Sequence, residues 1–200
     1  MPSKTPGVIQ LEAFHGTDKK FVSGIIKDKF IYKQNDEHWL GNGAYFFADY
    51  SLAEWWTTNP TSKFGVQVKD RAIIRCEITV QEDAVMDLRK LSHFNQFVDT
   101  YREEFHPLLM SGRIVCKGVD PDHIDKDNKA ATNKIRCFYC DYLKYRFPLK
   151  MIIGNFYKPD QPYLPTEYGE LFQKFDITYI ETQMCVFDQT VIIDKEEIAL

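Results

Sequence analysis

The sequence predicts an α+β fold in a single domain. Helical apolar spacing clusters early in the chain, whereas short apolar segments typical of strands are spread along it, a pattern of α+β or mixed α/β proteins. The chain has 200 residues, of which 44% are hydrophobic and 27% charged. This composition can bury one sizeable core and is too apolar for a disordered chain. Neither a repeat nor an interdomain linker divides residues 1–200.

Charge and cysteine content favour an intracellular protein. A net charge of -4 excludes a global basic field of the kind that drives nonspecific nucleic-acid or membrane binding, although a local basic patch is compatible with it. No apolar run approaches the roughly 18 residues of a membrane span. Five scattered cysteines argue against a secreted disulfide framework. We therefore expect a cytoplasmic protein that does not associate with a membrane.

The first fifty residues predict a strand, a helix and a second strand. Residues 8–14 alternate weakly and end in a His-Gly-Thr turn at 15–17. Asp18 can cap a helix whose apolar residues repeat at helical spacing over 21–26. After a glycine-rich stretch, residues 45–47 predict the second strand.

A short helix is predicted to begin at Ser51. Ser51 and Glu54 have the spacing of a capping box, and Pro60 ends the helix. The helix carries Trp55 and Trp56. Because adjacent helix positions point about 100° apart, one of the two indoles is expected in the core.

The second half of the chain alternates strands and helices. Ser92 is the predicted cap of a long helix that runs to about Phe105, and another helix is predicted from Ala131. Residues 120–128 are expected to form a solvated loop, and residues 157–165, rich in Pro and Tyr, a long ordered one. The predicted strands are residues 73–80, 85–88, 151–153 and 177–187.

Several well-known site patterns are excluded. The glycines of 41–43 form neither a Walker loop nor a dinucleotide fingerprint, because a third glycine and a preceding strand are missing. Cys137 and Cys140 have no second cysteine pair and no histidine at zinc-finger spacing, so we interpret them as small apolar helix positions and expect no metal site. The histidines without neighbours of a nucleophile motif are expected to be surface or core residues: His38, His93, His106 and His123.

One ordered set of motifs resembles a known family. The strand end His15-Gly16-Thr17 is followed by Gly-Asn-Gly-Ala-Tyr-Phe-Phe-Ala-Asp at 41–49 and then by a helix that bears aromatic residues. This order resembles the NAD-binding half of the ADP-ribosyltransferases related to diphtheria toxin and the poly(ADP-ribose) polymerases, over residues 13–57. The resemblance implies a split two-sheet core with flanking helices and NAD, as substrate, in the cleft between the sheets.

The resemblance gives the residues of these motifs a role. His15 hydrogen-bonds ribose hydroxyls, and the backbone of Gly16 pairs with the nicotinamide carboxamide because no side chain blocks the approach. Tyr45 stacks on the nicotinamide ring together with Trp56, or with Trp55 if the helix phase differs. The implied NAD-binding set is His15, Gly16, Thr17, Tyr45, Ser51 and Trp56.

A late strand supplies the catalytic candidates, and here the sequence departs from the His-Tyr-Glu pattern of the family. Glu181 and Gln183 alternate onto one face, and the apolar residues that follow place Gln183 at the position of the family's glutamate. We assign the ribose contact to Gln183, and Glu181 either supplies negative charge or activates the acceptor. Tyr45 completes the catalytic set. Two alternatives stay open. The pair is polar surface on an edge strand, or the carboxylate is Glu167 or Glu170.

The resemblance implies an enzyme, a mono-ADP-ribosyltransferase. It would use NAD to modify a macromolecular acceptor, protein or nucleic acid, and a bacterial or phage effector, toxin or defence protein is a natural setting. One alternative is a noncatalytic module that binds NAD or ADP-ribose. The other is a protein-interaction domain whose tyrosines form a recognition face around Tyr157, Tyr163 and Tyr168.

Overall fold

A seven-stranded sheet with helices on its faces organises the chain, which confirms the α+β class. The computed structural model describes residues 7–58, 68, 70–120, 129–156 and 179–198. The strands are β1 (Val8–Asp18), β2 (Ala44–Phe47), β3 (Arg71–Gln81), β4 (Val85–Asp87), β5 (Met151–Phe156), β6 (Glu181–Val186) and β7 (Ile192–Ile198). The helices are α1 (Lys19–Lys27), α2 (Tyr50–Thr58), α3 (Leu91–Thr100), α4 (His106–Met110) and α5 (Lys129–Arg146). Among the helices of these ranges, none is both long and apolar enough to cross a bilayer.

The sheet is divided between β1 and β2. Its spatial order is β4-β5-β6-β2-β1-β3-β7. β1 pairs with β3 along its whole length, but its register with β2, within the described ranges, consists of the pair Phe14↔Phe47. The half-sheets β4-β5-β6-β2 and β1-β3-β7 are therefore joined at one point and separate beyond it.

Strand alternation assigns the residues of β1 to different faces. His15 follows Ala13 on the face where α1 packs into a core with Phe30 and Phe46. Phe14 lies on the opposite face, where it packs with Ala53 of α2. His15 and Gly16 of the His-Gly-Thr motif therefore face opposite sides of the sheet.

Helix starts differ from two of the predicted caps. Asp18 accepts the Lys20 N–H at 3.2 Å, as predicted. α2, however, begins at Tyr50, and the Asp49 carboxylate accepts the Ser51 N–H at 2.7 Å, so Ser51 is not the cap. Ser92 is not a cap either, because α3 begins one residue before it. At α2 a neighbouring polar residue, Asp49, takes the place of the predicted cap, whereas no side chain caps the start of α3.

The prediction that Trp55 or Trp56 lies in the core is wrong. The buried face of α2 is formed by small or compact residues, and Trp55 is half-buried while Trp56 is 39% exposed. The reason is a close backbone approach: a Cβ on Gly16 would lie 2.4 Å from the Ala53 carbonyl oxygen. An indole does not fit between elements this close.

Most predicted strands are confirmed within a few residues, whereas β7 is not predicted by the sequence. β3 and β5 include the predicted ranges, and β4 ends one residue before the predicted end at 88. β6 covers the later part of 177–187, of which 177 and 178 lie outside the described residues. β7 carries four charged residues at 194–197 and reads as solvated. It is nevertheless held on the sheet edge by antiparallel pairing with β3 and by the contact of Arg75 with Glu196 at 2.7 Å. The predicted loop at 157–165 lies outside the described residues.

Candidate functional site

A large cleft opens where β1 and β2 separate. Its volume is about 1480 Å³, above the range of roughly 300–1,000 Å³ that is usual for small-molecule sites. β1 contributes His15 and Thr17, and β2 contributes Tyr45. α1 and the segment 28–35 form the opposite wall, and His38 lies at the same cleft. Three of the predicted site residues are therefore brought together.

His15 presents one ring nitrogen to the cleft side. Its ring packs against Phe30 and Phe46, with centroid distances of 4.9 and 5.8 Å. Nδ1 lies 2.7 Å from the Tyr45 carbonyl oxygen. Because a carbonyl can only accept, Nδ1 carries the proton and Nε2 keeps its lone pair. Burial lowers the pKa of His15, with the bond to Tyr45 partly offsetting it, so the ring is neutral at pH 7 and Nε2 can accept a hydroxyl proton.

The backbone of Gly16 points toward the separation of the two half-sheets. The Lys19 N–H donates to the Asp70 carbonyl at 2.7 Å, which fixes the odd-numbered residues of β1 as those that bond to β3. Even-numbered residues therefore direct N–H and C=O toward β2, and at Gly16 the registered pairing with β2 has ended. A side chain here would also meet Thr57 Cγ2 at 2.6 Å. Glycine is therefore required at this position for the packing of α2 on β1.

Tyr45 offers its ring and not its hydroxyl. The hydroxyl donates to the Gly41 carbonyl at 2.9 Å and accepts the Leu40 N–H at 2.6 Å. Its ring packs edge-on against His38, with centroids 5.4 Å apart. Burial raises the pKa of Tyr45 well above its usual value. The residue is therefore suited to stacking and to closing the glycine-rich loop, and not to proton transfer.

The Gly-Asn-Gly loop is clamped to α5. The Asn42 N–H and side-chain amide donate to the two carboxylate oxygens of Asp141, at 2.8 and 2.6 Å. Asn42 Oδ1 accepts the Asn35 N–H at 2.8 Å, which ties the cleft segment to the same network. Gly41 has a φ of +87°, a conformation that favours glycine. No spacing rule could have linked Asn42 to a residue 99 positions later.

Glu181 and Gln183 form a buried pair on an internal strand. β6 lies between β5 and β2, and the exposed fractions of the two residues are 0% and 8%. The Gln183 amide donates to Glu181 Oε1. The alternative of a polar surface on an edge strand is therefore wrong. The weaker candidates Glu167 and Glu170 lie outside the described residues.

The buried pair lies on the α2 face of the sheet and does not line the cleft. Gln183 is opposite Phe47, and Phe47 is opposite Phe14. Two strand spacings, about 10 Å, therefore separate Gln183 from β1. The Trp56 ring lies 6.2 Å from Phe47 on this face, so it neighbours Gln183's strand partner rather than Tyr45. Ser51 is exposed and also lies apart from the cleft.

Several cleft residues escaped the sequence analysis. His38, expected to be an ordinary surface or core residue, is half-buried at the cleft, where burial lowers its pKa and Asp141 partly offsets the effect. The unpredicted side chains of the opposite wall are Lys20, Lys27, Lys29, Phe30, Tyr32 and Lys33. Their signal in the sequence is a local alternation of lysines and aromatics over 27–33.

The cysteines of α5 are buried helix positions, as interpreted from the sequence. Cys137 donates its thiol proton to the Asn35 carbonyl at 3.2 Å, and burial raises its pKa to about 12. Among the described residues, no group of three or more His, Cys, Asp or Glu side chains could hold a metal ion.

Comparison with known proteins gives one relative. An uncharacterized protein of Methanocaldococcus jannaschii is 26% identical to the chain over 190 residues, which cover 92% of the chain and 85% of that protein. No family model matches the chain. A search of solved structures gives no significant match.

Proposed function

We propose that the protein is a mono-ADP-ribosyltransferase that uses NAD to modify a macromolecule. The observation that carries the proposal is the separation of β1 and β2 at the motif residues. His15, Gly16 and Tyr45 all lie at this point, beside a cleft large enough for a dinucleotide. The motif order in the sequence and the divided sheet support the same function independently.

NAD is proposed to lie across the separation. On the cleft side, His15 Nε2 accepts a ribose hydroxyl. At the open edge of β1, the Gly16 backbone bonds the carboxamide. Beyond that edge, on the α2 face, the rings of Phe47 and Trp56 are the available aromatic surface. This corrects the predicted pairing of Tyr45 with Trp56 around one ring.

The proposed reaction breaks the bond between the ribose C1′ and nicotinamide. Nicotinamide leaves with the electron pair of that bond, and positive charge develops on the ribose. A nucleophilic atom of the acceptor then bonds to C1′ and loses its proton. Gln183, whose amide hydrogen is engaged by Glu181, has its carbonyl oxygen left for a ribose hydroxyl. Glu181 polarises that amide and provides negative charge close to the ribose.

Nicotinamide release tests the proposal. The protein is incubated with NAD, and free nicotinamide and NAD affinity are measured for the parent, Glu181→Gln and, as a control on an exposed strand position, Glu77→Gln. We expect Glu181→Gln to slow release about 100-fold or more while NAD affinity changes little, because the charge acts mainly in the transition state. The Glu77→Gln variant should behave as the parent does. Normal turnover by Glu181→Gln removes that residue from the mechanism.

A second candidate function is NAD or ADP-ribose binding without transfer. It is favoured by the complete burial of Glu181 and by the distance of the pair from the cleft wall. In that case calorimetry detects NAD binding that depends on His15, and no nicotinamide is released in the presence of any acceptor. The interaction-domain alternative depends on tyrosines outside the described residues.

A further inference from the structure

We propose that the wall of the cleft formed by α1 and the segment 28–35 binds single-stranded nucleic acid. Resting on the proposed function, we infer that this nucleic acid is the acceptor of ADP-ribose. We call this surface the lysine wall and define it by Lys20, Phe21, Lys27, Lys29, Tyr32 and Lys33.

The lysine wall is positive in a protein that is negative overall. The chain has a net charge of -4. The cleft, as far as the structure describes its lining, contains four lysines and one carboxylate, Asp28. Lys20 forms an ion pair with Asp18 at 3.2 Å. The other three lysines follow it in the chain and are exposed residues. Such a concentration of one charge sign in a concave surface attracts a polyanion.

Aromatic and apolar side chains lie between the lysines. Phe21 is 51% exposed and Tyr32 is 37% exposed, although side chains of this size usually pack against the core. Ile31, between Lys29 and Lys33, is 92% exposed. A basic groove with rings available for stacking is the common design of surfaces that bind single-stranded nucleic acid, because every base has a face on which a ring can stack.

The size of the cleft provides space for the acceptor beside NAD. Its volume of about 1480 Å³ exceeds what one small ligand usually fills. His15 of β1 and the exposed lysines line the same cleft. A strand bound on the lysine wall therefore shares the cleft with the ribose that His15 is proposed to bind.

Fluorescence anisotropy with a labelled single-stranded oligonucleotide of about 12 residues tests binding. The exposed Lys27, Lys29 and Lys33 predict three phosphate contacts and a slope of about -2.1 for log affinity against log salt concentration. Lys29→Ala/Lys33→Ala should make this slope shallower by about 1.4 and weaken binding about tenfold. The control with the same change in charge is Lys90→Ala/Lys150→Ala, whose lysines pair with Glu82 and Asp188 away from the cleft. Equal effects of the two double variants overturn the proposal.

A substitution of Tyr32 distinguishes nucleic acid from an acidic protein. Tyr32→Ala should weaken oligonucleotide binding about 5- to 150-fold, and Tyr32→Phe should bind as the parent does. Tyr145→Ala is the matched control, because Tyr145 is 83% exposed on α5. A polyglutamate peptide that binds as tightly as the oligonucleotide, with no effect of Tyr32→Ala, overturns the proposal in favour of an acidic protein partner.

Transfer is measured in the same samples with NAD labelled in the adenosine part. Label on the oligonucleotide, lost in Lys29→Ala/Lys33→Ala while nicotinamide release continues, supports the acceptor assignment. Label on proteins alone overturns the assignment and leaves the transferase standing. Absence of nicotinamide release under all conditions overturns the transferase, and with it the acceptor role, whereas the anisotropy result still decides whether the lysine wall binds nucleic acid.

Discussion

The imidazole of His15 has one nitrogen committed to the protein and one available for a ligand. Its Nδ1 proton is donated to the Tyr45 carbonyl, and the ring is fixed between Phe30 and Phe46. Because the His15 ring contacts two aromatic rings and is hydrogen-bonded to β2, its rotamer is already fixed before any ligand binds. The entropic cost of ordering it is therefore met by folding rather than by binding.

Replacing His15 tests its contribution to the site. His15→Ala removes the Nε2 acceptor, and the loss of one hydrogen bond in a desolvated site lowers NAD affinity about 5- to 150-fold. Calorimetry with NAD measures the effect, and circular dichroism checks that the fold is kept. The control is His106→Ala, in a helical segment away from the cleft. Equal NAD affinity of the parent and His15→Ala removes His15 from the binding site.

Stability should fall when the pH is lowered from 6.5 toward 5. Burial lowers the pKa of His15 and of His38 below the usual value of 6.5, so the unfolded chain takes up protons that the folded chain does not. The stability contributed by these neutral rings is complete above pH 6.5 and decreases below it. The free energy of unfolding is measured by urea denaturation at several pH values in this range. Its slope against pH should be smaller for His15→Gln than for the parent, by up to about 1.4 kcal/mol per pH unit. An unchanged slope would mean that His15 titrates alike in both states.

At the scale of elements, the contact of α2 with β1 depends on the absence of a side chain at Gly16. The carbonyl of Ala53 belongs to the helix backbone and cannot move away as a flexible side chain would. α1 provides the opposite case on the neighbouring element, because a Cβ on Gly24 would meet nothing within 4 Å. A side chain is therefore sterically excluded at Gly16 but not at Gly24.

Alanine substitutions of these two glycines should have opposite effects. Gly16→Ala forces α2 away from the sheet and should lower the free energy of unfolding by about 3 kcal/mol or more. Gly24→Ala lies within a helix and should raise it by about 0.5–1 kcal/mol, because alanine restricts the unfolded chain. Thermal denaturation of both variants measures the difference. A Gly16→Ala variant as stable as the parent would show that α2 does not approach β1 this closely.

The same elements show which features a sequence can predict. Periodicity predicted α1 and β3 correctly, because their burial patterns follow local spacing. The charged strand β7 could not be recognised from its own residues. It is stabilised as a strand by pairing with β3 and by the ion pair of Glu196 with Arg75, both of which are contacts with a distant part of the chain. In the site, motif order predicted that His15 and Tyr45 lie together. The clamp of Asn42 on Asp141 depends on a contact that only the fold creates. The residues of the lysine wall are local in sequence, but the fold is what places them in the cleft with His15 and Tyr45.

At the scale of the whole molecule, the separation of the two half-sheets creates both the cleft and an open backbone edge. A continuous sheet would satisfy the backbone of Gly16 with β2, as β3 satisfies the residues on either side of it. In the divided sheet, β1 and β2 are registered at Phe14 and Phe47, and this registered pairing does not extend to Gly16. A ligand that hydrogen-bonds to the open edge at Gly16 would take the place of β2 as its partner. Such a ligand would connect the half-sheet that carries His15 with the half-sheet that carries Gln183.

Amide hydrogen exchange can test this bridging role at single residues. The N–H groups of His15 and Thr17 point toward β3 and should be protected in the free protein, whereas the Gly16 N–H should exchange faster than both. Saturating NAD should slow exchange at Gly16 selectively, because the proposed carboxamide contact supplies the partner that β2 does not. Exchange is followed by NMR with and without NAD, with Cys76 and Ile78 on β3 as internal references. Protection of Gly16 equal to that of His15 in the free protein would mean that β1 and β2 are paired beyond Phe14, and the site would then have no open edge for the nicotinamide.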